Sequence, residues 1–259
     1  MFNLNDRFIN IKTRKILIVG ASSGIGHAIG VELMKKGAEV FVTARRRDLL
    51  EKTFSKSNIF PADITKYNEV QNLFFEIEEK KIRLDTVFWC PGIYTPMKSN
   101  DFNTEEAEQI LTTNITSVYR LFSLIVRYWL QNKDLYPQTS LHWIWVSSVA
   151  GYSGLPGSVA YGPSKAAMNN LAEANYIELK PKGINISLVC PGFVESRLTK
   201  KNNFNMPFLI TPQKAAKEIL NGLHKGKFEI HFPKMFTYIL KFLKFLPYWM
   251  YFKIVKKIN

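Results

Sequence analysis

The sequence predicts a doubly wound α/β domain, in which helices cover both faces of a parallel sheet, followed by a short basic tail. Short apolar runs typical of strands alternate with helical segments along most of the 259 residues, and parallel strands require such crossover connections. The chain is 46% hydrophobic and 22% charged, which is typical of a folded globular protein. Glycines directly follow the first apolar run, where this architecture binds ligands.

The first strand is predicted at residues 15–19. A helix should follow, because Ile25, Ile29 and Leu33 recur at helical spacing and Gly37 suits a C-terminal cap. Further strands are predicted at residues 39–43, 59–60 and 86–90, with a helix around residues 70–77 between the last two.

A long helix is predicted over residues 104–131. It carries apolar residues on two sides, with Leu121, Leu124 and Tyr128 on the second, so we expect the sheet to cover one side and another subunit the other. Strands at 141–146 and 184–190 enclose a helix at 161–179, and a last helix begins at Thr211 and Pro212. We assign residues 14–230 to this single domain.

The net charge of +14 is unevenly distributed. Residues 225–259 hold eight lysines and one acid, which is about half of the excess. Two cysteines are too few for a disulfide framework and predict buried thiols in a reducing compartment. Residues 1–15 contain no apolar stretch typical of a signal peptide. We therefore expect a cytoplasmic protein.

The segment 20–26 reads GASSGIG and lies between the first strand and its helix. Glycines let the backbone turn tightly and approach a pyrophosphate, whose charge is attracted by the N-terminus of the helix. The alternative is a glycine turn that only packs the helix against the strand. The candidate cofactor-binding residues of this turn are Gly20, Ser22, Ser23, Gly24, Ile25 and Gly26.

Tyr161 and Lys165 lie four residues apart, on one face of a predicted helix, thirteen residues after Ser148. An ammonium group at this spacing can stabilise a phenolate and lower the pKa of the tyrosine. Pro163 places the pair in the first turn of the helix. The alternative is a surface Tyr and Lys pair on an amphipathic helix.

Taken together, these segments resemble the short-chain dehydrogenase/reductase family over nearly all of residues 14–230. The resemblance implies a Rossmann-type fold and hydride transfer between a nicotinamide and a carbonyl or alcohol carbon. Asp63 and Ile64 resemble the family's adenine-contacting pair, and Asn114 its active-site asparagine. The nicotinamide-contacting segment is matched by Pro191, Gly192, Val194 and Ser196, and Gly92 is retained after the fourth family strand.

The resemblance implies a role for each polar residue of the site. Tyr161 would be the general acid/base, and Lys165 would hold the nicotinamide ribose and lower the pKa of Tyr161. Ser148 would polarise the substrate oxygen, while Asn114 would support a water in the proton relay.

Two positions depart from the family pattern. Val19 replaces the usual threonine before the first glycine, so a nearby Ser or Thr hydroxyl is expected to brace the turn instead. The family's Asn-Asn-Ala-Gly is here Trp-Cys-Pro-Gly at residues 89–92, which removes two asparagines.

Charge at the end of the second strand favours NADP(H). An NAD site usually has an acid there for the ribose hydroxyls. Here Arg45 and Arg46 occupy the region, and no acid appears before Asp48. Guanidinium groups can pair with a 2′-phosphate, although solvated arginines at a helix start are the alternative.

Residues 231–259 form a cationic amphipathic tail that Pro247 divides in two. Lys234, Lys241 and Lys244 share one arc, and the uncharged stretch at 245–252 is too short to span a membrane. We favour peripheral attachment to an anionic membrane surface, on its cytoplasmic side. The alternatives are docking on the protein's own body or on a second subunit over the substrate cleft, and nucleic-acid binding, which is least favoured because no binding module is present.

Substrate contacts are expected from three loops, at residues 93–103, 152–158 and 193–210. Their apolar residues favour a hydrophobic carbonyl or alcohol, such as a lipid, steroid-like or acyl compound, and a 3-oxoacyl carrier substrate is also open. The family resemblance implies a homodimer or homotetramer. A catalytically idle NADP(H)-binding sensor or scaffold is the second functional hypothesis. The apolar loop residues are Tyr94, Leu155, Phe193, Phe204, Phe208 and Leu209.

Overall fold

The computed structural model describes residues 3–136, 140–201 and 206–256. Six parallel strands form one sheet in the order β2-β1-β3-β4-β5-β6. The chain passes from β1 to β2 on one side and then to β3 on the other, so a crevice opens at the carboxyl ends of β1 and β3. The strands are β1 (Lys15–Val19), β2 (Glu39–Thr43), β3 (Thr86–Trp89), β4 (Leu141–Val146), β5 (Ile184–Pro191) and β6 (Glu229–Phe232).

Helices pack on both faces of this sheet, which confirms the predicted fold class. On one face, α1 and α7 contact each other and cover side chains such as Ile16 and Ile18 of β1. On the other face, α3, α5 and α6 cover Leu17 and Val19. The helices are α1 (Gly24–Lys35), α2 (Arg47–Glu51), α3 (Tyr67–Glu79), α4 (Thr104–Leu111), α5 (Ser117–Gln131), α6 (Tyr161–Leu179), α7 (Pro212–His224), α8 (Lys234–Lys244) and α9 (Tyr248–Val255).

The strand predicted at residues 59–60 is not formed. Ile59 makes a single parallel bridge to Val42, and the Phe60 N–H donates to the Val42 carbonyl. The ladder cannot continue through Pro61, because proline has no N–H to donate.

The predicted long helix is interrupted by a π-helical turn at Thr112–Thr116, between α4 and α5. Its second apolar side packs partly within the chain, where Leu124 and Tyr128 are half-buried. Leu121 belongs to the buried core, and the ring of Tyr128 lies 6.1 Å from that of Phe74 on α3.

Strand β6 was not expected from the sequence. Its four residues pair with β5, with Ile230 beside Val189, and form one edge of the sheet. The predicted boundary between the domain and the tail, after residue 230, therefore falls inside a strand.

The tail folds into α8 and α9, separated at Pro247. One side of each helix packs against the body, and Tyr251 donates a hydrogen bond to the Gly154 carbonyl at 2.5 Å. Within the residues described, no helix combines the length and the apolar character needed to cross a bilayer. The inner side of the tail forms a small cluster of Leu243, Tyr251 and Val255 with Leu155, Leu240 and Leu246.

Candidate active site

A cavity of about 520 Å³ lies at the carboxyl ends of the strands. It brings together every predicted site residue except Asn114. These lining residues are Gly20, Ser22, Ser23, Gly24, Ile25, Gly26, Arg45, Arg46, Asp63, Ile64, Gly92, Ser148, Tyr161, Lys165, Pro191, Gly192, Val194 and Ser196.

The glycine turn needs its glycines for two reasons. Gly20 and Gly24 have φ angles of 83° and 62°, a region that other residues rarely adopt. A Cβ at Gly26 would lie 2.5 Å from the Gly20 carbonyl oxygen, so no side chain fits there. The turn leads directly into α1, and the backbone can therefore approach an anion at the start of that helix.

The backbone of β2 braces the turn in place of the missing threonine before Gly20. The Thr43 carbonyl accepts hydrogen bonds from Gly20 N–H at 2.9 Å and from Ala21 N–H at 3.3 Å. The expected brace from a Ser or Thr hydroxyl is thus replaced by a main-chain oxygen at the end of a neighbouring strand.

Close packing holds residues 89–92, the segment that differs from the family's Asn-Asn-Ala-Gly pattern. The Trp89 indole is fully buried and stacks on Trp143 at 6.3 Å, and Cys90 N–H donates to the Val19 carbonyl at 3.0 Å. A Cβ on Gly20 would lie 3.0 Å from the Pro91 nitrogen. Burial raises the pKa of the Cys90 thiol to about 12, so the thiol stays protonated.

The end of β4 and the start of α6 bring three polar side chains together. Ser148 hydrogen-bonds to the Tyr161 side chain. The Lys165 ammonium is buried, donates to the Val146 carbonyl at 3.1 Å and lies 5.7 Å from the centroid of the Tyr161 ring. This arrangement aims a phenol, a hydroxyl and a positive charge at one end of the cavity.

The expected lowering of the Tyr161 pKa is not observed. Burial raises the pKa of Tyr161 to about 12, and the hydrogen bond from Ser148 offsets only part of that rise. Burial also lowers the pKa of Lys165 to about 8. The Lys165 ammonium donates to the Val146 carbonyl rather than to the phenol oxygen. Because the Tyr161 pKa is raised, Tyr161 is protonated at neutral pH and able to donate a proton.

Asn114 lies in the π-helical turn, fully buried behind the cavity wall. Its Oδ1 accepts from Ile93 N–H at 2.8 Å, and its Nδ2 donates to the Ile93 carbonyl and to Ser164 Oγ, both at 3.0 Å. Both amide protons are therefore used within the protein. The side chain holds the strand-end segment beside Gly92, and π turns of this kind are frequent at functional sites.

Arg45 and Arg46 line the cavity next to β2, as expected. Arg46 donates to Ser22 Oγ at 3.3 Å. Arg47 turns away and pairs with Glu51 at 2.8 Å. Burial favours a higher pKa for Asp63, but hydrogen bonds from Thr65 and the charge of Arg45 outweigh it and lower that pKa.

Aromatic side chains lie beside Tyr161 and Gly192, two residues that line the cavity. Tyr94 meets the Tyr161 ring edge-on at 5.1 Å. Phe193 and Phe208 lie 5.4 and 6.3 Å from the ring of Phe236. Leu155 packs on the tail, and Leu209 is largely exposed. Phe204 lies outside the described residues.

Sequence reasoning missed Phe236. This residue of α8 packs over Gly192, where a Cβ would lie 3.0 Å from its ring. No local pattern sets Phe236 apart from the other aromatics of the tail. Arg197 was also missed, although it directly follows Ser196 and lines the cavity.

A half-buried charged network joins the tail to strand β6 and the loop after β4, and was likewise not expected. Tyr152 donates to Glu229 Oε1 at 2.6 Å, and Lys241 forms an ion pair with the same carboxylate. Burial favours a higher Glu229 pKa, but these two partners outweigh it and lower that pKa. Lys241 therefore faces the body, and the predicted arc that it shares with Lys234 and Lys244 does not form one charged surface.

The sequence model of the short chain dehydrogenase family matches residues 14–206 of this chain. The chain belongs to the short-chain dehydrogenase family, which is a family of oxidoreductases. It is 29% identical over 241 residues to an uncharacterised oxidoreductase of Myxococcus xanthus, covering 90% of this chain and 93% of that protein. It is 28% identical to the 3-ketodihydrosphingosine reductase of Bos taurus, covering 82% of this chain and 69% of the bovine protein.

Two solved structures share the short-chain dehydrogenase fold. A Burkholderia cenocepacia short chain dehydrogenase in complex with NADP superposes with a TM-score of 0.81 at 19% identity, over 95% of this chain and 99% of that one. A short-chain dehydrogenase of Sphingobium yanoikuyae in complex with NADPH gives a TM-score of 0.76 at 21% identity, over 86% and 89% of the two chains.

Proposed function

We propose that this short-chain dehydrogenase is an NADP(H)-dependent oxidoreductase that reduces the carbonyl group of a hydrophobic substrate, or oxidises the corresponding alcohol. The observation that carries the proposal is the convergence of Ser148, Tyr161 and Lys165 with the glycine turn in one cavity. No observation favours the idle sensor or scaffold.

The cavity residues fit NADP(H). The turn at residues 20–26 and the start of α1 would hold the pyrophosphate, since a Cβ at Gly24 would meet only open space and its absence leaves the backbone accessible to an anion. Arg45 and Arg46 would pair with the 2′-phosphate. Asp63 and Ile64 would contact the adenine, and residues 191–196 and Gly92 the nicotinamide end. Two structures of the same fold contain NADP and NADPH.

Bound NADPH supplies the hydride for reduction. Ser148 would donate a hydrogen bond to the substrate oxygen and polarise the carbonyl. Tyr161, protonated at neutral pH, would give its hydroxyl proton to that oxygen, so that C=O becomes CH–OH. The Lys165 ammonium, besides binding the ribose, would stabilise the phenolate left behind. Asn114 would act as a positioning residue through the segment at Ile93.

The proposed substrate is a ketone or aldehyde with an extended apolar part. Tyr94 packs edge-on against Tyr161, and Phe193 lies against Phe236, whose ring lies over Gly192, so aromatic rings adjoin the cavity. A relative that covers most of this chain is named as a reductase of a long-chain keto compound, 3-ketodihydrosphingosine.

The test is NADPH oxidation by purified protein with 2-ketones of increasing chain length, and with a charged, compact keto acid of the same carbonyl type. We expect kcat/KM to rise with chain length and to disappear in Tyr161→Phe. Tight NADPH binding without turnover on any carbonyl compound would instead favour the idle binding protein. Turnover limited to the keto acid would refute the hydrophobic substrate.

We also propose a homodimer or homotetramer, as the family resemblance implies. Exposed apolar side chains support it on the outer surfaces of α5 and α6, where Tyr119 and Ile177 lie. Sedimentation velocity of the wild type and of Ile177→Asp tests this assembly.

A further inference from the structure

The outer side of the tail carries a continuous set of exposed aromatic rings. On α8 and its C-terminus, the exposed rings follow helical spacing, and on α9 Tyr248 stacks on Phe252 at 5.5 Å. The inner sides of both helices meet in the cluster around Leu243 and Tyr251, so the opposite sides face away from the protein. We call Tyr238, Phe242, Phe245, Tyr248, Trp249 and Phe252 the aromatic face.

The exposure of this face is unusual for aromatic residues. Phe245 is 85% exposed, Tyr248 77%, Trp249 71% and Phe242 65%. Single exposed apolar residues are ordinary, but a contiguous group marks a contact surface for a partner or a membrane.

Both helices of the aromatic face also carry exposed lysines. Lys234, Lys244, Lys253 and Lys256 are exposed. Between residues 225 and 259 the single acid is Glu229, and it is already paired with Lys241. The surface therefore combines aromatic rings with a net positive charge.

We propose that the aromatic face docks on the surface of an anionic lipid bilayer. Tyr and Trp favour the headgroup region, and lysine stems can reach along the apolar layer while their ammonium groups pair with lipid phosphates. A second copy of the chain fits less well, because a two-fold contact would place the same lysines against each other. The inner faces of α8 and α9 are already filled, so the tail docks on the body and on the bilayer with opposite sides.

The docked orientation connects the bilayer to the substrate end of the cleft. Phe236 projects from α8 onto Gly192, and the exposed ring of Phe208 lies beside it. A hydrophobic carbonyl compound dissolved in the lipid would thus reach the cleft along the loop at residues 206–210. This route rests on the proposed function, whereas docking itself does not.

Intrinsic fluorescence provides a direct probe of docking. Of the five tryptophans, Trp89, Trp129, Trp143 and Trp145 are fully buried, and Trp249 is exposed on the aromatic face. With vesicles of phosphatidylcholine and phosphatidylglycerol, we expect brominated acyl chains to quench Trp249 and acrylamide to lose access to it. Vesicles of phosphatidylcholine alone should give little of either effect.

Cosedimentation of the full chain with the same vesicles tests the two components separately. Phe245→Ser with Trp249→Ser should weaken binding at least about tenfold, and Lys253→Glu with Lys256→Glu should do so by a similar factor and remove its salt dependence. Matched controls are Tyr67→Ser with Phe75→Ser on α3 and Lys214→Glu with Lys217→Glu on α7, which alter exposed residues elsewhere. Both controls should bind as the wild type does.

Three results would overturn the proposal. The first is the absence of cosedimentation with anionic vesicles. The second is equal binding to neutral and anionic vesicles. The third is acrylamide protection of Trp249 that depends on protein concentration alone, which would assign the face to a second copy. None of these readouts requires turnover, so a failure of docking is distinguishable from a failure of the proposed reaction.

Discussion

The cofactor half of the cleft is positioned mainly by the backbone, whereas the substrate half depends on side chains from three separate segments. In the first, Gly20 and Gly26 allow strand β1, helix α1 and residues 90–91 to approach closely, and the Thr43 carbonyl holds the turn. In the second, Tyr94, Phe193 and Phe236 are brought together by loops and by the tail.

The difference shows where each half can change. A turn whose glycines have no room for a Cβ tolerates almost no substitution, so the cofactor half depends on a few fixed positions. The substrate half relies on apolar contacts, which accept other side chains of similar size. Substrate range is therefore expected to vary with the tail and loops while cofactor binding stays constant.

The largest effect is expected from Tyr161→Phe, which removes the proton donor at the boundary between the two halves. Turnover should fall by about 10²- to 10⁴-fold or more, while NADPH affinity measured by fluorescence titration should change little. Tyr67→Phe on the exposed side of α3 is the matched control. Loss of NADPH binding in parallel with turnover would mean that Tyr161 belongs to the cofactor half alone.

Arg45→Ala tests the comparison between the two halves on the cofactor side. The dissociation constant for NADPH should rise about tenfold or more, because a charge-assisted bond to the 2′-phosphate is lost, and that for NADH should stay constant. Arg47→Ala is the control, since Arg47 pairs with Glu51 and does not line the cavity. Equal weakening of NADPH and NADH would contradict a phosphate contact.

Phe236→Ala tests the comparison between the two halves on the substrate side. Loss of the ring over Gly192 should raise KM for a long-chain ketone several-fold, because apolar contact area is lost. The affinity for NADPH should not change. Phe75→Ala, an exposed phenylalanine on α3, is the control. An altered NADPH affinity would show that the tail also holds the cofactor half.

The smallest effect concerns the attachment of the tail and its pH dependence. Burial, together with the charges of Lys241 and Lys234, lowers the pKa of His231 to about 4, and the His231 ring hydrogen-bonds to Thr237 at 2.6 Å. As pH falls from about 6.5 to about 4, the unfolded chain binds a proton that the folded chain does not, so stability decreases.

Thermal unfolding between pH 7 and pH 4 measures this contribution. His142 and Glu229 shift the stability in the same direction, since the pKa of each is lowered in the fold. Because His231 adds to this effect, the loss of stability between pH 7 and pH 4 should be larger in the wild type than in His231→Asn. The control is His224→Asn, on the exposed end of α7. If the unfolding temperature changed with pH equally in the wild type and in His231→Asn, His231 would not contribute to the pH dependence of stability.

Much of the fold was predictable because short segments carry their own periodicity. Five strands and the helices around them were located from apolar spacing and turn residues. Strand β6 was missed because its four residues, Glu229–Phe232, form too short a run between a lysine-rich turn and Pro233, although they alternate polar and apolar, and their pairing with β5 is a tertiary contact. The pattern at residues 59–60 was overestimated, since it is ended by Pro61.

The sequence by itself determined the α/β class, the glycine turn and the candidate Ser148, Tyr161 and Lys165, because each depends on residue types at short, fixed spacings. Only the tertiary structure decided the direction of the Tyr161 pKa shift, the use of both Asn114 amide protons within the fold and the side of the tail that faces outward. These properties arise from desolvation and from contacts between distant segments, such as Tyr152 with Glu229, and local sequence encodes neither.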